Sequence, residues 1–250
     1  MKRWGPPVLL LVGLVGVWEL VVRAAGVQDY LFPAPSAVAA ALRDDAGVLG
    51  DATLVTAREM LLGYLLAVAV GLGIAVLLHF STLLRRALLP LLVVSQTVPT
   101  VVLAPILAIL LGYGIGPKLI VVAIVCFFPI VVNAVDGLRA TDPELIRMMR
   151  TLRGTRWSVF RRVEFPGALP MIFSGARIAA TYAAVGAVFG EWAGSSQGLG
   201  FVMLQSQPSL DTEVIFASVL ILSLLALALY GAVTLLERVL VPWKWEPAHA

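Results

Sequence analysis

The chain has 250 residues, of which 60% are hydrophobic and 13% charged, with a mean hydropathy of +0.96. Soluble domains carry about a quarter charged residues, so this composition excludes an ordinary water-soluble globule and points to an all-α polytopic membrane protein. A formal charge of +3 reads as membrane topology rather than as a nucleic-acid footprint, and a lone cysteine, Cys126, excludes an intrachain disulfide. No metal-ligand spacing or cofactor motif occurs.

Six apolar segments are long enough to cross a bilayer as helices, at roughly 6–23, 60–79, 87–111, 118–135, 168–190 and 214–236. The first follows Lys2 and Arg3 as a signal peptide would, but Trp18 and Glu19 interrupt it. It reads as a retained span. A long loop, 24–57, follows; in it Ser36 is expected to cap a short surface helix running to Arg43. Thr53, Thr56 and Arg58 allow the second helix to begin before residue 60. In the third segment Pro99 and Pro105 free backbone groups that neighbours or cavity water must satisfy. Gly112-Tyr113-Gly114 then makes a tight turn. This gives 1–52 as first span and surface segment, 53–237 as the helical core and 238–250 as a tail.

Basic residues fix the expected orientation. With the N-terminus inside, Lys2, Arg3, Arg85, Arg86, the run from Arg139 to Arg162, Arg238 and Lys244 all face the cytoplasm. Both termini are then cytoplasmic.

The loop 136–167 carries the densest information. Thr141 or Asp142 can cap a helix with Pro143 in its first turn and Glu144 near the positive end of its dipole. Leu145, Met148, Met149 and Leu152 recur on one face, and Arg147, Arg150 and Arg153 on another. Gly154 is expected to end that helix at positive φ, and Thr155 to cap a second short one bearing Arg156, Trp157 and Phe160. Thr151 completes the stretch. Pro166 and Pro170 are expected to mark the return to the membrane. A basic loop lying on anionic lipid accounts for the charge alone. A capped helix, a break and aromatics among arginines favour a knob that fits a partner's groove.

Polar groups inside the spans are candidates for a translocation path: Arg58, Gln96, Asn133, Arg177 and Glu191. Interhelical hydrogen bonding without solute contact is the competing reading for each, and for Glu19. Gly186 and Gly190 suit close helix packing. Gly194-Ser195-Ser196-Gln197-Gly198 matches a serine-hydrolase elbow. However, Ser196 falls outside, His79 at the inner end of the second span and His249 in the tail, so about 30 Å of hydrocarbon separates nucleophile from base.

Residues 144–170, ELIRMMRTLRGTRWSVFRRVEFPGALP, resemble the coupling loop of binding-protein-dependent ABC importer permeases. Trp18-Glu19, Phe32-Pro33-Ala34-Pro35-Ser36, Pro99 with Pro105, and Gly198-Leu199-Gly200 are similar to its sulfonate, nitrate and taurine branch. Residues 174–200 resemble members assigned to thiamine-pyrimidine precursors or riboflavin. Where the family has Glu-Ala-Ala, this chain has Arg147-Met148-Met149, and the family's glycine falls on Arg153. The resemblance implies a type I importer (MetI-like) bundle of six transmembrane helices. It also implies a second permease copy, an extracytoplasmic substrate-binding protein, and a cytoplasmic ATPase that docks on residues 144–157. The chain has no Gly-x-x-x-x-Gly-Lys-Ser/Thr with which to hold ATP itself. A self-sufficient secondary transporter is the alternative, disfavoured by the absence of a clear internal repeat.

Overall fold

A computed structural model describes residues 5–244; Lys2, Arg3, His249 and the end of the expected tail lie outside the described residues. Within them the chain is helical, in the order α1 (Gly5–Ala25), α2 (Pro35–Asp44), α3 (Ala46–Phe80), α4 (Thr82–Ser95), α5 (Thr100–Leu111) and α6 (Ile115–Arg139). There follow α7 (Pro143–Thr151), α8 (Arg156–Val159), a π turn (Phe160–Glu164), α9 (Phe165–Trp192), α10 (Leu199–Ser209) and α11 (Thr212–Leu240). Five helices are long and apolar enough to span a membrane, and α4 with α5 forms a sixth element bent by 99°.

Helix α6 is the axis of the bundle, with α3 on one side and α9 on the other. Small residues permit that closeness. On α3, Gly63, Ala67, Gly71 and Ala75 recur every four residues, and on α9 Gly175, Ala179, Ala183, Gly186 and Gly190 line the facing side. A Cβ on Gly63 would lie 2.5 Å from the Val122 Cβ, and one on Gly186 only 2.8 Å from the Val122 Cα. Val122 is therefore gripped from both sides by backbone. Between helices that share lipid as their alternative partner, this tight van der Waals contact is the main source of association.

The third apolar segment is not one straight crossing. Pro99 has no N–H, and the residues before it close i→i−3 bonds instead of helical ones: Gln96 N–H to Val93 O at 3.1 Å, Thr97 to Val94 at 3.0 Å, and Val98 to Ser95 at 3.3 Å. The chain tightens, stops and restarts at Thr100. Pro105, in contrast, stays inside α5, as Pro90, Pro129 and Pro170 stay inside α4, α6 and α9.

Two further expectations are corrected. The second span begins at Ala46, absorbing the last third of the supposed loop, and its 35 residues make about 50 Å of helix. Ser36 does not cap α2: Ala34 holds the N-cap position with no side-chain bond, and Ser36 lies inside the first turn. Glu19 of α1 performs that task instead. Its carboxylate accepts the Ser36 N–H at 3.0 Å and the Ser36 hydroxyl at 2.8 Å, while pairing with Arg23. Trp18, Phe32 and Phe216 cluster with centroids 5.5–6.0 Å apart, which fastens the peripheral α1 to α11.

Candidate functional site

Three sites emerge, one at each end of the bundle and one at the break between α4 and α5. At the arginine-rich end, the Asp142 side chain accepts the Glu144 N–H at 2.8 Å and starts α7; Thr141 does not cap. The helix ends in a Schellman arrangement, with Gly154 N–H on Met149 O at 2.9 Å and Arg153 N–H on Arg150 O at 3.0 Å. The left-handed residue is Arg153, at φ 59°, and not Gly154 as the sequence suggests. Gly154 is needed for closeness: a Cβ there would lie 2.7 Å from Met149 O. The position where the resembling family has glycine is thus the one whose left-handed backbone favours it.

Thr155 accepts the Ser158 N–H at 3.2 Å and starts α8, as expected. The second helix does not end, however. It runs through the π turn into α9, so Arg156–Trp192 forms one 37-residue rod, and Pro166 sits in the first turn of α9 rather than at a break. The α8 half of the loop is therefore continuous with a membrane helix. It is also tied to α3: Arg156 Nη2 donates to the Phe80 carbonyl at 2.9 Å, and its guanidinium lies 5.1 Å above the Phe80 ring. Trp157 stacks on Phe160 at 5.2 Å, Phe160 meets Phe80 at 5.1 Å, and His79 Nε2 pairs with Glu164 at 2.9 Å. Against this anchored base, α7 presents Leu145, Met148 and Leu152 at 46, 54 and 69% exposure, flanked by Arg147 and Arg150. Glu144 and Arg147 face each other loosely at 3.9 Å, and Thr151 bonds back to Met148 O.

At the opposite end, Glu191 is almost fully buried and satisfied within the protein. Its Oε1 accepts the Thr56 hydroxyl at 2.6 Å and its Oε2 the Gly200 N–H at 2.5 Å, while Thr56 accepts the Leu199 N–H at 2.9 Å. Gly198, at φ +107°, wraps so closely that a side chain there would overlap the carboxylate. Beside this latch, Lys118 donates to Glu59 at 2.7 Å and to Ser195 at 2.6 Å. Glu59 was not among the sequence candidates; the signal available was a carboxylate one residue from Arg58, on the α3 face shared with Thr56 and Gly63. Arg58 itself is exposed at the rim of the cleft containing Lys118 and Ser195. Arg177 lies elsewhere, paired with buried Glu237, which also accepts Lys244 at 2.6 Å. Hence Glu191 and Arg177 serve interhelical bonding in this state.

Gln96 and Asn133 are brought together. Both line a cleft of about 410 Å³ between the α4–α5 break, α6 and α9, and Gln96 also lines a neighbouring cleft of about 450 Å³. Asn133 Nδ2 donates to Pro129 O at 2.8 Å. The hydrolase-like motif falls in the turn after α9, where Ser195 holds Lys118 and the Gln197 carbonyl, and His79 is occupied by Glu164.

Comparison with known proteins agrees with this architecture. The family described as binding-protein-dependent transport system inner membrane component matches residues 64–245. A probable ABC transporter permease of Haemophilus influenzae is 38% identical over 90% of this chain and 92% of its own length. The formylaminopyrimidine transport permease ThiX of Halalkalibacterium halodurans is 35% identical over 95% of both. The riboflavin permease RibX of Chloroflexus aurantiacus is 36% identical over 96% of this chain and 90% of its own length. The chain belongs to this family and is a multi-pass inner-membrane permease subunit of an ABC importer.

Proposed function

We propose that this chain and a second copy form the solute path of an importer whose energy comes from a separate cytoplasmic ATPase docked on residues 144–157. An extracytoplasmic binding protein delivers the solute at the Glu191 end, and both termini face the cytoplasm. The single observation that carries the reading is the apolar face of α7. Leu145, Met148 and Leu152 are uncovered by the described residues, yet they stand beside a base locked to α3 and continuous with α9. Such a patch, ringed by arginines, suits a protein groove. Motion of α7 would be carried directly into the bundle by the Arg156–Trp192 rod. The first solute class is a thiamine-pyrimidine precursor, in keeping with one 35%-identical relative named for formylaminopyrimidine transport; riboflavin, sulfonates and nitrate follow.

The test is reconstitution in proteoliposomes. Uptake is expected only with the ATPase, ATP on its side, and the loaded binding protein. Accumulation by this chain alone on an ion gradient would replace the proposal with a secondary carrier.

A further inference from the structure

The break between α4 and α5 leaves an unusual concentration of unused polarity in an apolar chain. Gln96, Thr100 and Tyr182 line the 410 Å³ cleft and make no side-chain hydrogen bond within the described residues; Asn133 uses its amide N–H₂ on Pro129 O and leaves Oδ1 free. The first N–H groups of α5 face no side-chain cap, because its N-cap residue is Pro99. Irregular backbone and open polar groups at membrane depth persist where they line a cavity, and helix ends at such breaks are where solutes are held. Phe128 and Tyr182 add aromatic surface to the same walls. The volume falls within the range of small-molecule pockets, about 300–1,000 Å³.

Equally informative is the absence of charge. Among the described residues, no Asp, Glu, Lys, Arg or His lines this cleft or the adjoining 450 Å³ one. The nearby Arg177 is engaged by Glu237. An anion entering without a counter-charge would forfeit hydration worth several kcal/mol. A flat molecule with amide, amine or ring-nitrogen groups would replace its water with Gln96, Thr100, Asn133 and Tyr182, and lay its face on the aromatic rings.

We propose that the cleft bounded by Gln96, Thr100, Phe128, Asn133 and Tyr182 is a solute-binding subsite for an uncharged, planar heteroaromatic molecule. This rests on reading the chain as a solute path, and it places part of the selection in the permease itself.

The experiment uses Gln96→Cys and Asn133→Cys in the full transporter in membrane vesicles, with the buried Cys126 retained and the parent chain as its labelling control. A small, uncharged, water-soluble methanethiosulfonate is expected to label both positions. Formylaminopyrimidine or riboflavin, added without detergent or ATP, should slow that labelling about fivefold or more, and taurine should not. Absence of labelling, protection by taurine, or protection by neither heteroaromatic each overturns the subsite. A second arm is independent of thiol chemistry: Gln96→Glu and Asn133→Asp, matched to the parent for membrane abundance, should lower formylaminopyrimidine uptake about tenfold. Uptake within twofold of the parent overturns the subsite while leaving the importer reading intact. Failure of the parent to use ATP at all overturns the importer reading, and the labelling result still decides the cleft.

Discussion

Arg156 bonds the carbonyl of Phe80, 76 residues earlier and the last residue of α3, at 2.9 Å, while its cation lies 5.1 Å from the centroid of the Phe80 ring. A cation on the carbonyl end of a helix is favourable twice, through the hydrogen bond and through the macrodipole. Arg156 is thus a brace between the arginine-rich loop and the second span, besides being a proposed contact for the ATPase. Arg156→Ala should leave the chain in the membrane, loosen α7 and α8 by about 1 kcal/mol, and lower ATP-driven uptake several-fold. Faster amide exchange in residues 143–159 would accompany the loss. If both exchange and uptake stay at parental levels, the aromatic cluster alone holds the loop.

Arg153 at φ 59° occupies a conformation that disfavours a side chain by about 1 kcal/mol. Arg153→Gly should therefore stabilise the end of α7, and the Gly154 amide, bonded to Met149 O, should exchange about fivefold more slowly. Gly154→Ala should do the reverse, since its Cβ would press on that same oxygen. The informative combination is uptake: a drop in Arg153→Gly despite slower exchange would show that the guanidinium serves the partner and that strain is kept for its sake.

The membrane class, five of the crossings and the two caps at Asp142 and Thr155 were readable because hydropathy, spacing and capping chemistry act locally. What escaped depends on contacts far apart in the chain. Ser36 has the side chain of a cap, yet the carboxylate 17 residues earlier took over the helix start. Trp18-Glu19 and Phe32-Pro33-Ala34-Pro35-Ser36 look like separate motifs in sequence but form one unit, with Trp18 on Phe32 and Glu19 on Ser36. Pro99 and Pro105 look alike, and only Pro99 breaks the helix. Glu59 shares a helix face with Thr56 and Gly63, but its role depends on Lys118, 59 residues away, which local spacing does not reveal.

Glu191 is the acceptor on which the turn after α9 is built, so its substitutions should rank by how many donors they strand. Glu191→Ala leaves the Thr56 hydroxyl and the Gly200 N–H unpaired in the interior, a loss of about 3–5 kcal/mol. Glu191→Gln keeps one oxygen but turns an N–H₂ toward a donor, and should lose about 1–3 kcal/mol. Gly198→Ala should resemble the more severe case, because positive φ and overlap with the carboxylate act together. Thermal inactivation midpoints in detergent test the order. Parental stability in Glu191→Ala would move this residue from a structural latch to the solute path.

Lys118 and Glu59 allow the sharpest separation of structure from transport. Their side chains are 13% and 3% exposed and 2.7 Å apart, and Glu59 Oε2 has no donor of its own among the described residues. Removing only the lysine strands a buried carboxylate, whereas removing both charges leaves only a neutral amide in its place. Lys118→Met should therefore destabilise strongly, by about 3–5 kcal/mol, and the double variant Lys118→Met with Glu59→Gln should recover most of that loss. If the pair is only a structural strut, uptake by the double variant recovers along with stability. If stability returns and uptake does not, the ion pair has a further task at the mouth lined by Arg58, Lys118 and Ser195, where the binding protein is proposed to release its solute. A double variant no more stable than Lys118→Met would show that Ser195 and the turn after α9, rather than Glu59, are what the lysine supports.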